Sequence, residues 1–251
     1  MGWVEASSDQ GVRVWKLNRG VTNPINAELV DELGAHLKEV KENKAITSLV
    51  ISSANEKFFS LGFDIPELSQ KGPKEFEDFF RAFNHLCLEL YTLPKPTIAA
   101  LTGHTIAGGF ILASCCDYRF LGEGKKFCAL NEINLGVPVP FLSDCILRQL
   151  VGDRMATEMV YFGNMIPGEE ALRMGLIDQL LPLDQVLVES LSRAQTLGRL
   201  PSAAFGAIKA NRTGFVAETI RQRLEEDIQL FVKFWFMEEA RERLKEAMKK
   251  F

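Results

Sequence analysis

Short β-type runs alternate with amphipathic helical stretches from the start of the chain to about residue 135. That alternation constrains the fold more than any other feature. Residues 12–17 (VRVWKL) alternate as a strand does. Leu29, Leu33, Leu37 and Val40 then recur at helical spacing and predict an amphipathic helix from about Asn26 to Lys44. Residues 46–52 (ITSLVIS) read as a second strand. Phe76, Phe79, Phe80, Phe83, Leu86 and Leu90 mark a second helix, ended by Pro94 and Pro96. Residues 97–101 (TIAAL) form a buried strand, followed by a helix that opens on a Gly-Gly pair and by strands at 117–121 and 126–130. Strands separated by helices pair in parallel, so the fold class is α/β.

Beyond residue 135 the pattern turns helical. Pro167 precedes a short helix closed by Gly175, Pro182-Leu183-Asp184 opens another, Pro201 starts a third, and residues 217–250 form a charge-rich helical end. The apolar FVKFWFM before that end suits either core packing or a contact between subunits.

The charge balance, −4 net, gives no electrostatic reason for a nucleic-acid partner. Five cysteines without a Cys-x-x-Cys spacing, and three histidines with no cysteine at ligand spacing, predict no disulfide and no metal site. Unpaired cysteines and an N-terminus without an apolar signal segment imply the cytoplasm. The end, Lys249-Lys250-Phe251, is not the Ser-Lys-Leu peroxisomal address. The most membrane-like window, 97–116, holds His104, three glycines and three threonines, and reads as a buried strand and helix rather than a span.

Within that window lies GHTIAGGFILASCCDY, 103–118. Gly108 and Gly109 stand where a loop becomes a helix, and the first helical turn has unpaired N–H groups and a positive dipole end. The segment FFSLGFD, 58–64, also leaves a buried strand at a glycine. Two readings remain open here. Either the glycines simply allow close packing, or two converging amides form an oxyanion hole.

The ordered set FFSLGFD, a Pro-Thr-Ile-Ala-Ala-Leu strand, GHTIAGG and NEINLGV (131–137) resembles the enoyl-CoA hydratase/isomerase (crotonase) family over nearly the whole chain. The resemblance implies a spiral of ββα units at 1–195, a helical trimerisation region at 196–251, and an acyl-CoA thioester as ligand. A homotrimer or dimer of trimers is implied, with no cofactor beyond the coenzyme A of the substrate. Carried over by position, the oxyanion amides fall on Phe63 and Gly108 and the catalytic carboxylate on Glu132.

The same resemblance narrows the reaction. One carboxylate position used by hydratases is Ile111 here, and the position acidic in dienoyl-CoA isomerases is Pro140. A single glutamate among apolar residues matches members that shift a double bond from the 3,4 to the 2,3 position. A hydratase, for which Asp144 would supply the second carboxylate, another crotonase-type acyl-CoA lyase or hydrolase, and a non-catalytic acyl-CoA binder are the alternatives. Arg19, in the loop NRGVTNPIN, is expected at a coenzyme A phosphate, and Lys249 and Lys250 resemble a tail lysine that reaches the coenzyme A, in some members from a neighbouring subunit. A family lysine three residues after the oxyanion position is replaced by Pro66. Phe110, Ile111, Leu135, Val139, Phe141 and Trp235 are expected to line the acyl pocket.

Overall fold

The computed structural model describes residues 2–249. Its main sheet has six strands in the order β1-β2-β3-β5-β7-β10: Val4–Asp9, Val12–Leu17, Ser48–Ser53, Thr97–Leu101, Tyr118–Gly122 and Gln179–Leu181. β1 is an antiparallel edge, and the other neighbours pair in parallel. A smaller sheet runs β4-β6-β8-β9: Phe58–Ser60, His104–Ile106, Phe127–Ala129 and Ile166–Pro167. After β3, β5 and β7 the chain steps straight across to the small sheet as β4, β6 and β8. The β3–β4 and β5–β6 steps each lead into helices, and this repeated strand–strand–helix advance winds the chain into a crotonase-type spiral.

Local chemistry sets the helix ends. Asn26 caps α1 (Ala27–Glu42) by accepting from the Leu29 amide at 3.0 Å. Pro73 opens α3 (Pro73–Tyr91), where Glu75 accepts from the Gly72 amide at 3.1 Å. Between them lies the four-residue α2 (Ile65–Leu68). The Gly-Gly helix is α4 (Gly108–Ser114), and α5 spans Phe141–Phe162 with a break at Gly152. Then come α6 (Gly168–Met174) and α7 (Leu183–Gly198), which crosses the expected boundary at 195. α7 covers one face of the main sheet, packing Val186 and Ala194 on Val12, Val14, Val50, Ile98 and Phe120. The principal core lies on the other face, beneath α1 and α3.

The C-terminal helices differ from the expected layout. α8 (Ser202–Trp235) is one continuous helix across both stretches read as separate, and α9 (Glu238–Met248) follows a break at Phe236 and Met237. β1 was not foreseen, because only Val4 of its six residues is buried and an exposed edge leaves no apolar alternation. The window 97–116 divides into β5, β6 and α4, and no helix among the described residues is long and apolar enough to cross a membrane.

Candidate active site

β4 and β6 run side by side, so the chain leaves both at the same end of the small sheet. The two loops that follow are locked together. Gly62 has φ +92°, and a Cβ there would lie 3.0 Å from both the Gly108 nitrogen and the Ala107 Cβ. Ile25 pins the first loop, donating to the Gly62 carbonyl at 2.8 Å and accepting from the Asp64 amide at 2.9 Å. Ala107 holds a positive φ of 49° without being glycine, while its amide donates to the Ala129 carbonyl at 2.8 Å. Such a conformation costs about 1–3 kcal/mol and persists only where its surroundings over-determine it.

The two glycines of the pair have different reasons. A Cβ on Gly109 would sit 2.5 Å from the Ser60 carbonyl oxygen, so that position is excluded to any side chain by backbone. Gly108 faces the Phe63 ring, which a Cβ would meet at 3.0 Å. The main-chain amides of Phe63 and Gly108 donate to no protein group among the described residues. Both residues line a cavity of about 860 Å³.

Glu132 lines the same cavity. It follows β8 as the first residue of a 3-10 turn, Glu132–Leu135, closed by Gly136 at φ +75°. Asn134 fastens the turn from outside, its Nδ2 donating to the Gly163 carbonyl at 3.1 Å. α9 presses on it as well: a Cβ on Gly136 would lie 3.2 Å from the Ala240 Cα. Glu132 is only 4% exposed, and its Oε2 has no hydrogen-bond partner. Burial pushes its carboxyl up to about 8, against a small opposing pull from a main-chain amide. The wall around it is apolar, formed by Ile106, Ile111, Leu135, Val137, Pro140 and Phe231.

An aromatic block supports the Phe63 loop from behind. The Phe63 ring meets Phe79 and Phe83 edge-on at 5.0 Å each and Phe80 at 6.2 Å. Phe76 and Phe80 in turn stack on Trp235 at 4.3 Å and Phe231 at 4.1 Å. α3 thereby couples the loop to α8, which forms the opposite wall of the cavity.

The structure brings Phe63, Gly108, Ile111, Glu132, Leu135 and Trp235 together around one space. Other expected residues lie elsewhere. Phe110 points into the core with no exposed surface, one helical position away from Ile111. Val139 packs on the core outside the cavity lining. Phe141 opens α5 with the Arg223 guanidinium 4.3 Å over its ring, and does not line the cavity either. Arg19 is not free for a phosphate: it donates to Asp64 at 2.6 Å and Glu67 at 3.0 Å, and so braces the loop that carries Phe63. Lys249 is exposed and paired with Glu246 at 2.5 Å, while Lys250 lies outside the described residues. Asp144 pairs with Arg148 at 3.1 Å and stays out of the cavity.

Several lining residues had not been picked out. Leu61, Ile65, Asn131 and Phe231 belong to the inner wall, and Glu239, Glu242, Arg243 and Glu246 project from the exposed side of α9 at its rim. Phe231 was findable, since it lies one helical turn before Trp235. The α9 residues carried no signal beyond an ordinary solvated charge pattern.

Compared with known proteins, the chain matches the enoyl-CoA hydratase/isomerase family model over residues 7–251. It is 30% identical, over 92% of its length, to the mitochondrial enoyl-CoA delta isomerase 1 of Homo sapiens, of which it covers 77%. It is also 30% identical, over 82% of its length, to a probable enoyl-CoA hydratase of Mycobacterium bovis, of which it covers 78%. The crystal structure of human mitochondrial delta3-delta2-enoyl-CoA isomerase superposes with a TM-score of 0.95 at 28% identity, covering 99% of this chain and 97% of that one. An enoyl-CoA hydratase from Bacillus halodurans superposes with a TM-score of 0.90 at 24% identity, covering 98% of this chain and all (100%) of that one, a likeness of fold.

Proposed function

The chain belongs to the enoyl-CoA hydratase/isomerase family, and from that premise we propose that it is a Δ3,Δ2-enoyl-CoA isomerase. One observation carries the reading. Among the described residues, the cavity with two unengaged amides has a single buried carboxylate, Glu132, and the other acids lining it stand exposed on α9. Water addition in this family uses two carboxylates. Here the two alternative acid positions are Ile111 and Pro140, and Asp144 is engaged with Arg148 outside the cavity.

In this mechanism the thioester oxygen of a 3-enoyl-CoA accepts hydrogen bonds from the Phe63 and Gly108 amides. Glu132, as carboxylate, takes a proton from C2. The electron pair moves to the thioester oxygen, giving a dienolate held by the two N–H groups. Each such donor contributes about 3–4 kcal/mol where charge develops. Protonated Glu132 then returns the proton at C4, and the double bond comes to rest between C2 and C3. One group serves both carbons when each lies within about 3 Å of it. The apolar wall keeps out water that would otherwise add to the product. It also accounts for the lifted carboxyl, which holds a proton readily enough to deliver it.

Incubation with 3-hexenoyl-CoA and, separately, with crotonyl-CoA tests the proposal. The expected result is a conjugated product of unchanged mass from the first and no reaction with the second. A product heavier by one water sinks the reading. So does full activity in Glu132→Gln.

A further inference from the structure

Three residues other than glycine hold a positive φ among the described residues: Gln10, Asn23 and Ala107. Gln10 belongs to the tight turn between β1 and β2, where such a conformation is ordinary. Ala107 precedes the Gly108 amide. Asn23, at φ +45°, lies against the loop that carries the other donor. It is fully buried, and its side chain is bonded on every side. Nδ2 donates to the Ser53 Oγ at 2.8 Å and to the Phe59 carbonyl at 3.0 Å, and Oδ1 accepts from the Arg19 amide at 2.8 Å. Glycine would take this backbone conformation freely but could make none of those bonds. Held this way, Asn23 presents its own carbonyl to Ser60, whose hydroxyl donates to it at 2.8 Å. The same hydroxyl oxygen accepts from the Gly62 amide at 3.1 Å. The flanking amides are tied to the 19–26 loop as well. Leu61 donates to the Thr22 carbonyl at 3.0 Å and Asp64 to the Ile25 carbonyl at 2.9 Å. In the run 61–64 only the Phe63 amide is left without a protein acceptor among the described residues.

We propose that Asn23 is a positioning residue for the oxyanion hole. It acts through Ser60 and Gly62, and what it sets is the direction of the Phe63 N–H. The inference rests on the acyl-CoA reading above and adds to that site a residue outside the cavity lining. A loop left to itself would turn an unpaired amide toward any acceptor within reach. Fixed at Gly62 on one side and Asp64 on the other, the Phe63 amide keeps one direction. Charge that develops on the thioester oxygen then meets a donor already in place, with no reorganisation at the moment of reaction.

Two substitutions and two readouts test this. Asn23→Gly keeps the backbone conformation and removes the side-chain bonds. Ser60→Ala cuts the relay one step later, and decides alone if the first variant does not fold. Circular dichroism checks the folding of each. With 3-hexenoyl-CoA, kcat is expected to fall about 10- to 100-fold in each folded variant, less than the loss of a whole donor, while KM stays within about threefold. The second readout needs no turnover. Infrared difference spectra of octanoyl-CoA, labelled with carbon-13 at the thioester carbonyl, report the hydrogen bonds to its oxygen. The carbonyl band should move to lower frequency on binding the wild type, and each variant should lose part of that shift. In folded Ser60→Ala, an unchanged kcat or a band that keeps its full shift overturns the inference and leaves Asn23 a structural role only. Failure of the acyl-CoA reading shows in the wild type instead. Octanoyl-CoA that does not bind, or binds with no band shift, sinks that reading and this inference with it. A shifted band without isomerisation of 3-hexenoyl-CoA sinks the isomerase assignment alone, and the band comparison then decides for Asn23.

Discussion

Replacing Glu132 by glutamine should stabilise the protein while removing its activity, and the stabilisation should grow with pH. Burial lifts the carboxyl from its ordinary 4.5 to about 8. Between those values the folded state holds a proton that the unfolded state has released. Stability is therefore lost as pH rises through that window, and below it the ionisation term disappears. At about 1.4 kcal/mol per pH unit, the interval is worth about 5 kcal/mol when fully expressed. Near pH 5 only about 1 kcal/mol of it is in force, and near pH 9 almost all of it. Glutamine keeps the shape and carries no charge. Its advantage over the wild type should thus widen by about 4 kcal/mol between those two conditions. Urea unfolding of both proteins, at equal concentration and both pH values, reads the difference directly. A gap that does not change with pH would refute burial as the cause. The same substitution should lower kcat by about 10²–10⁴-fold, the usual range for a positioned base.

Four other outcomes follow from the geometry. If Glu132 acts as base, kcat/KM should rise with pH to a plateau above about 8, because the free enzyme must first release the proton that burial retains; a profile flat from pH 6 to 9 would contradict this. Gly109→Ala should destabilise by about 1–3 kcal/mol or prevent folding, since the new Cβ meets the Ser60 carbonyl at 2.5 Å, and thermal melts decide it. Lys209→Met should cost about 1–3 kcal/mol in urea unfolding, because Lys209 is buried with its Nζ 2.8 Å from Asp117, whose carboxylate is then left with only the Thr97 amide and hydroxyl. Asp144→Asn should leave isomerase kcat/KM within about twofold, since its partner Arg148 lies on an exposed face; a large loss would revive the two-carboxylate reaction.

The long elements were legible because each shows one clean period. α1 and α3 carry their apolar residues at helical spacing, and β5 is an unbroken buried run. β4, β6 and β8 have three residues each, too few for any period, yet they aim the segments that carry Phe63, Gly108 and Glu132. Phe110 and Ile111 show a second limit. Both are apolar, and only the roll of α4 about its axis sends one to the core and the other to the cavity. Arg19 shows a third. Its partners Asp64 and Glu67 lie 45 and 48 positions along the chain, so no local pattern reveals that its charge is already engaged. Glu132 was named from its place in NEINLGV, while its isolation depends on walls supplied by four separate segments.

The interlock at Gly62 and Gly109 bears on how such a scaffold ages. A side chain at either position collides with the neighbouring loop before any ligand is involved. A descendant that abandoned chemistry altogether would still need both glycines to reach its native shape. They therefore testify to ancestry and leave the choice of reaction unrecorded. Glu132 is under no such obligation, since burial of its charge opposes folding.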